Sequence, residues 1–167
     1  LVPKSMVPVT VEVDGRAIPM QEGARSGGFT AALLPVERPA AASSPAGDST
    51  TVPLIALAYG RSGDKGDNAN IGIFARKAEY EPILDSEVTE DAVAKYFAHR
   101  INGKVSRWRL PGIHGFNFLL RQALGGGGMA SLKADPLAKA FAQMLLDMPV
   151  RVPAAVARDV AVAQKAA

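Results

Sequence analysis

The sequence predicts an α+β domain, a two-layer sandwich with a mixed or antiparallel sheet on one side and helices on the other. Three observations carry this expectation. Short apolar runs at residues 54–59 and 71–76 read as buried strands. Val93, Phe97 and Ile101 repeat at four-residue spacing, which is the stripe of an amphipathic helix. A second stripe, Leu137, Phe141, Met144, Leu145 and Met148, follows Asp135-Pro136, where Asp caps a helix and Pro occupies its first turn.

Taken in order, residues 7–13 alternate apolar and polar side chains, and Asp14-Gly15 then leads into residues 17–20, a strong hairpin signal. A lone hairpin is marginal in water and needs a surface to lean on. The chain opens on Leu1, so residues 1–35 are read as a hairpin and extension leading from an upstream domain. The run at 29–34 is apolar enough to pack on a neighbour. Residues 36–52 are rich in Ala, Pro and Ser and bury too little to offset the entropy of ordering, so they are expected to be a flexible tether. The main domain is placed at 53–150 and a frayed or weakly helical tail at 151–167. Within the main domain Thr89 caps a helix with Glu90 and Asp91 in its first turn, and His99, Arg100 and Gly103 close it. Residues 104–110 read as a strand with Val105, Arg107 and Arg109 on one face, residues 116–124 as a short helix, and residues 129–132 as a last strand.

Composition narrows the function classes. Among 167 residues, 48% are apolar, so a core is within reach of the length. The net charge of +3 is modest and the basic residues are scattered, with no aromatic platform in the sequence, which argues against nucleic acid as the main partner. Cysteine is absent, which removes disulfides, thiolate metal sites and cysteine nucleophiles. No apolar run approaches the ~20 residues that span a bilayer, and no signal-peptide pattern opens the chain, so a cytoplasmic protein is expected.

The chemistry concentrates in residues 60–72, Gly-Arg-Ser-Gly-Asp-Lys-Gly-Asp-Asn-Ala-Asn-Ile-Gly. Glycines such as Gly63 and Gly66 permit a tight loop whose N–H groups converge on an anion. Arg61 and Lys65 add positive charge; Asp64 and Asp67 orient those cations or act as acids and bases; Ser62, Asn68 and Asn70 supply further ligand contacts. The competing reading is a polar hairpin connection in which Asp and Asn bond their own backbone. The pattern is not a Walker loop, since Lys65-Gly66-Asp67 enters a strand, and it lacks calcium-loop spacing, so no metal site is expected. Arg107 and Arg109 form a carboxylate or phosphate clamp if their face meets this loop. His114, between Gly112 and Gly115, is a candidate acid or base. The run Gly125 to Gly128 marks a mobile flap, a surface loop, or backbone passing close to a ligand or partner.

Several stretches together carry a resemblance. They are Leu57-Ala58-Tyr59-Gly60-Arg61-Ser62-Gly63-Asp64-Lys65-Gly66-Asp67, Asn70-Ile71-Gly72, Leu110-Pro111-Gly112, Asn117-Phe118-Leu119-Leu120 and Ala123-Leu124-Gly125-Gly126-Gly127. They resemble the C-terminal domain of the acyclic terpene utilisation, or AtuA-like, protein family over residues 52–149, about three fifths of the chain. The resemblance implies a ferredoxin-like fold, a larger AtuA-type N-terminal domain or subunit as partner, and a homo-oligomer. It implies a part in the bacterial breakdown of citronellol- and geraniol-type terpenoids through CoA thioesters, with CoA as substrate carrier and no other cofactor. Such a domain would help form an enzyme without being active alone; the alternative is a non-catalytic assembly module. The family brings no assigned catalytic residues.

Overall fold

The computed structural model describes residues 6–7, 9–18, 47–110 and 112–165, and the chain divides into two units, 1–39 and 40–167. In the first unit β1 (Val11–Val13) pairs antiparallel with β2 (Arg16–Ile18). Asp14 and Gly15 both take positive φ, 53° and 75°, the conformation that suits a two-residue hairpin turn. The expected hairpin is therefore present, with three-residue strands. Its Val13 and Ile18 are exposed within the unit. The remainder of the expected first strand at Val7, Val9 and Thr10 pairs with no strand among the described residues, and residues 19–20, the run at 29–34 and most of the expected tether lie outside the described residues.

The second unit runs β3 (Ser49–Pro53), β4 (Ala58–Lys65), β5 (Asn68–Ala75), α1 (Glu81–Glu87), α2 (Glu90–Tyr96), β6 (Val105–Leu110), β7 (Gly115–Leu120), α3 (Phe141–Leu146), β8 (Pro149–Pro153) and α4 (Ala154–Lys165). Four strands make an antiparallel sheet in the order β4-β5-β7-β6, built from two hairpins joined through α1 and α2. A separate antiparallel pair joins β3 to β8. The α+β architecture is thus as expected, with every pairing among the described residues antiparallel. No described helix is long and apolar enough to cross a membrane.

Alternation decides which sheet face is covered. Ala58, Ala69, Ile71, Ile73, Val105, Phe116, Phe118 and Leu120 all point to one side and are buried against Leu84, Val93, Phe97, Phe141 and Leu145 from the helical layer. Phe97 stacks on Phe141 with ring centroids 5.4 Å apart, closing the core between the end of α2 and the start of α3. On the opposite face Tyr59, Phe74 and Trp108 are exposed.

Several elements differ from expectation. Residues 54–56 form a 3-10 turn, and the strand starts only at Ala58, because Leu54 and Leu57 drop into the core where continued alternation would have exposed one of them. Residues 116–124 are not a helix: Phe116, Phe118 and Leu120 alternate inward with Asn117 and Leu119 outward, so period two wins over the i, i+4 match of Phe116 with Leu120. Residues 129–132 are not a strand either; Gly128–Ala130 is a 3-10 turn that leaves Met129 and Leu132 in solvent.

Asp135 does cap, but a turn: its carboxylate accepts from the Lys139 and Ala140 N–H groups at 2.8 Å, and α3 starts at Phe141, leaving Leu137 exposed. Helix α1 has no counterpart in the sequence reading; it opens on Glu81-Pro82, proline in the first turn. Thr89 caps α2 as expected, its hydroxyl accepting from Ala92 N–H at 3.1 Å. That helix ends at Tyr96, and Phe97, His99 and Arg100 sit in the turn beyond. At the two ends, Ser49 to Val52 are paired strand and not tether, while β8 and α4 belong to the unit through buried Val150, Val152 and Val160.

Candidate functional site

The stretch expected to be a glycine-rich loop is a strand hairpin. Register runs unbroken from Ala58↔Ala75 to Lys65↔Asn68, with Gly66 and Asp67 at the turn and φ +64° at Gly66. The Gly63 amide therefore belongs to a strand, and no cup of converging loop amides forms. The competing hairpin reading is correct for the backbone.

The tip of this hairpin is clasped by the glycine run. Asp67 Oδ1 accepts from Gly126 N–H at 2.7 Å, and the Asp67 carbonyl accepts from Ala123 and Leu124 N–H at 2.9 and 3.0 Å. Asn68 Oδ1 accepts from Gln122 N–H at 3.2 Å. Gly127, φ +69°, passes so close that a Cβ would run into the Gly66 carbonyl. Asp67, Gly66 and Asn68 are thus occupied in holding two loops together. The glycine run does pass close to a backbone, that of its own chain.

Beside the tip, at the β4 edge of the sheet, lies a depression of about 380 Å³, a size that accommodates a small ligand, with Arg61, Gly63, Lys65, Asn70 and Gly72 on the open face and Ser62 and Asp64 on the covered one. Six of the expected residues line it: Arg61, Ser62, Gly63, Asp64, Lys65 and Asn70. Three others complete it, none of them named as a candidate site residue from the sequence: Gly72, Asn117 and Lys139. Pairing explains the grouping, since Arg61 lies opposite Gly72 and Gly72 opposite Asn117, while Gly63 lies opposite Asn70. Lys139 is brought in from outside the sheet. Ser62 Oγ accepts from Ala142 N–H at 2.9 Å and donates to the Lys139 carbonyl at 3.4 Å, fastening the start of α3 to the edge of β4.

Charge in the depression is unbalanced. Among the described residues Arg61, Lys65 and Lys139 form no ion pair with a carboxylate, although Asp64 is close by; the Lys65 ammonium donates instead to the Asp64 carbonyl at 2.9 Å. The expectation that Asp64 and Asp67 orient these cations is therefore not met. Asn70 Nδ2 donates to Asn117 Oδ1 at 2.8 Å and to the Phe118 carbonyl at 3.1 Å, fixing the amide pair against the floor.

Two glycines on this face, Gly63 and Gly72, have no structural reason to be glycine. Neither Gly63 nor Gly72 has positive φ. A Cβ on Gly72 would meet nothing within 4 Å, and one on Gly63 only Lys139 Nζ at 3.7 Å. Glycine inside a strand weakens it and is characteristic of places where another group approaches the backbone. By contrast, a Cβ on Gly115 would collide with the Ile73 carbonyl, so that glycine is explained by packing.

Arg107, Arg109 and His114 belong to a different cluster. The arginines face the helical layer, where Asp85, only 4% exposed, takes Arg107 Nη2 at 3.0 Å on one oxygen and Arg109 Nη2 at 2.7 Å on the other. Arg107 Nη1 also donates to the Asp85 and Val88 carbonyls at the end of α1. Both guanidinium groups lie over the Phe116 ring. Glu81 joins Arg109 at 3.5 Å to His114 Nδ1 at 2.6 Å. The expected clamp facing the hairpin is thus a tie between β6 and α1. His114 lies in the β6–β7 turn, where its carbonyl accepts from Ala75 N–H at the far end of β5, seven residues or roughly 23 Å along the strand from Asn68 beside the hairpin tip. Among the described residues no group of acidic or histidine side chains is arranged to hold a metal.

A family model described as the AtuA ferredoxin-like domain matches residues 52–151, more than half of the chain. The chain belongs to that family. The matched residues of this AtuA ferredoxin-like domain run from Val52 in β3 to Arg151 in β8, enclosing the whole four-stranded sheet and its depression. No curated protein and no solved structure matches the chain.

Proposed function

We propose that this AtuA ferredoxin-like domain is the ligand-holding part of an AtuA-type protein in the breakdown of acyclic terpenoids or related acyl-CoA compounds. In this reading Arg61, Lys65 and Lys139 hold the phosphate of a CoA thioester, or a substrate carboxylate, over Gly72. A larger AtuA-type domain or subunit completes the reaction site and supplies its acid or base, since strand register turns Asp64 to the covered face, opposite Ala69 and away from Arg61 and Lys65. The single observation that carries the reading is the ring of cations lacking carboxylate partners around a floor of strand glycines. Unpaired like charges repel one another, and an anion between them relieves that cost. His114 and Asp67 are left out, the first by distance and the second by its bond to Gly126.

Thermal unfolding of the 167-residue chain with CoA tests this. A ligand at a hundred times its Kd stabilises by about 2.7 kcal/mol, several degrees in midpoint for a domain of this size. Arg61→Ala combined with Lys139→Ala should abolish the shift. An equal shift in the double variant, or none in the unaltered chain, overturns the reading. Sedimentation of the same variant addresses the assembly-module alternative, which predicts an altered oligomer at unchanged anion affinity.

A further inference from the structure

Trp108 stands in line with the depression. Cross-strand pairing orders Arg61, Gly72, Asn117 and Trp108 as one row across the four strands of the open face. Two strand spacings separate Gly72 from Trp108, roughly 10 Å. Among the described residues three aromatic side chains lie on this face, but two are engaged: the Arg76 guanidinium covers the Tyr59 ring at 4.0 Å, and Phe74 leans on Tyr59 at 5.6 Å. Trp108, 49% exposed, makes no ring contact among the described residues. Its free face is therefore available for stacking.

The floor between the cations and this indole is polar. Once Asn70 has donated to Asn117 Oδ1, the Asn117 Nδ2 donor and the Asn70 Oδ1 acceptor stay without partners among the described residues. A neighbouring donor and acceptor match the edge of a nucleobase, as asparagine matches adenine. An alkyl chain laid over the same groups would strip their water and return nothing.

We infer that the ligand of this site is a nucleoside phosphate, its phosphate among Arg61, Lys65 and Lys139, its base edge on Asn70 and Asn117, and its base plane on Trp108. This rests on the anion-binding reading above and specifies which part of the ligand docks here. For a CoA thioester, the nucleotide end is held on the sheet while the pantetheine arm carries the thioester beyond the domain. The domain is then a handle for the carrier, and bond making takes place off its surface.

Trp108 is the chain's only tryptophan, so intrinsic fluorescence reports on it alone. The 167-residue chain is titrated with adenosine 3′,5′-bisphosphate, inorganic phosphate, dodecanoate and an oligothymidylate, with thermal unfolding as a second readout. Adenosine 3′,5′-bisphosphate should quench Trp108 saturably and bind at least tenfold tighter than phosphate. Trp108→Ala should lose about tenfold towards the bisphosphate and nothing towards phosphate, a contrast that Trp108→Phe restores in part. If phosphate protects through Arg61 but the bisphosphate binds no tighter and leaves the emission unchanged, the inference is overturned while the anion site stands. Tighter binding of dodecanoate assigns an apolar acid instead, and tighter binding of the oligothymidylate a single-stranded nucleic acid; either overturns it. If neither phosphate nor the bisphosphate binds, both readings fall together.

Discussion

Asp85→Ala is expected to lower stability by about 3–5 kcal/mol, because removing one partner of a buried ion pair leaves the other charge uncompensated. The Arg107 side chain is only 17% exposed and the Asp85 side chain 6%, so neither rehydrates without moving strand from helix. The loss falls on the contact between β6 and the end of α1, where Arg107 also meets the Asp85 and Val88 carbonyls. Asp85→Asn keeps one acceptor for the guanidinium groups and should lose less. Urea unfolding monitored by circular dichroism measures both variants. A drop in Asp85→Ala below about 1 kcal/mol, the range of exposed pairs, would mean that this network is a surface ornament and that water already reaches Arg107.

Gly127→Ala should cost about 2–4 kcal/mol, combining left-handed backbone strain with a collision at the Gly66 carbonyl. The run supplies its own control. Gly128 also has positive φ, 49°, but a Cβ there would meet nothing within 4 Å, so Gly128→Ala should carry the strain alone, about 1 kcal/mol. The two variants should differ in hydrogen exchange as well. In Gly127→Ala the Ala123, Leu124 and Gly126 amides lose protection, because each is held by Asp67. Equal losses in the two variants would show that the clasp contributes little and that Asp67 is free for other work.

What the sequence disclosed depended on how local the signal was. Thr89-Glu90-Asp91 and Asp14-Gly15 act within a few residues, and both were readable because their caps and turns need no distant partner. Residues 115–120 misled because Phe116 and Leu120 satisfy helical spacing, and only the inward turn of Phe118, fixed by pairing with β5, decides for strand. The site shows the same division. Arg61 to Lys65 were legible as a dense polar run, yet Gly72, Asn117, Lys139 and Trp108 join them through strand register and through Ser62, over separations that no local pattern encodes. One signal was available for Gly72: a tight turn at Gly66-Asp67 implies an antiparallel register that sets Gly72 opposite Arg61, and an isolated glycine inside a strand pattern invites a question. Conversely, Arg107 and Arg109 do share one face, but the condition for a clamp at the hairpin is not met, because their partner Asp85 sits on α1, a helix with no local signal beyond Glu81-Pro82.

The sharpest measurement separates what the fold requires at Gly72 from what a ligand requires. A Cβ there meets nothing within 4 Å and valine has the better strand propensity, so Gly72→Val should unfold at the same or a higher urea concentration, by up to ~1 kcal/mol. Calorimetric titration of the same variant should show CoA binding weakened at least tenfold, because the new side chain fills the floor between Arg61 and Asn117. Stability kept and affinity lost is the predicted pair; affinity equal to that of the unaltered chain would contradict the assignment of this sheet face as the binding surface.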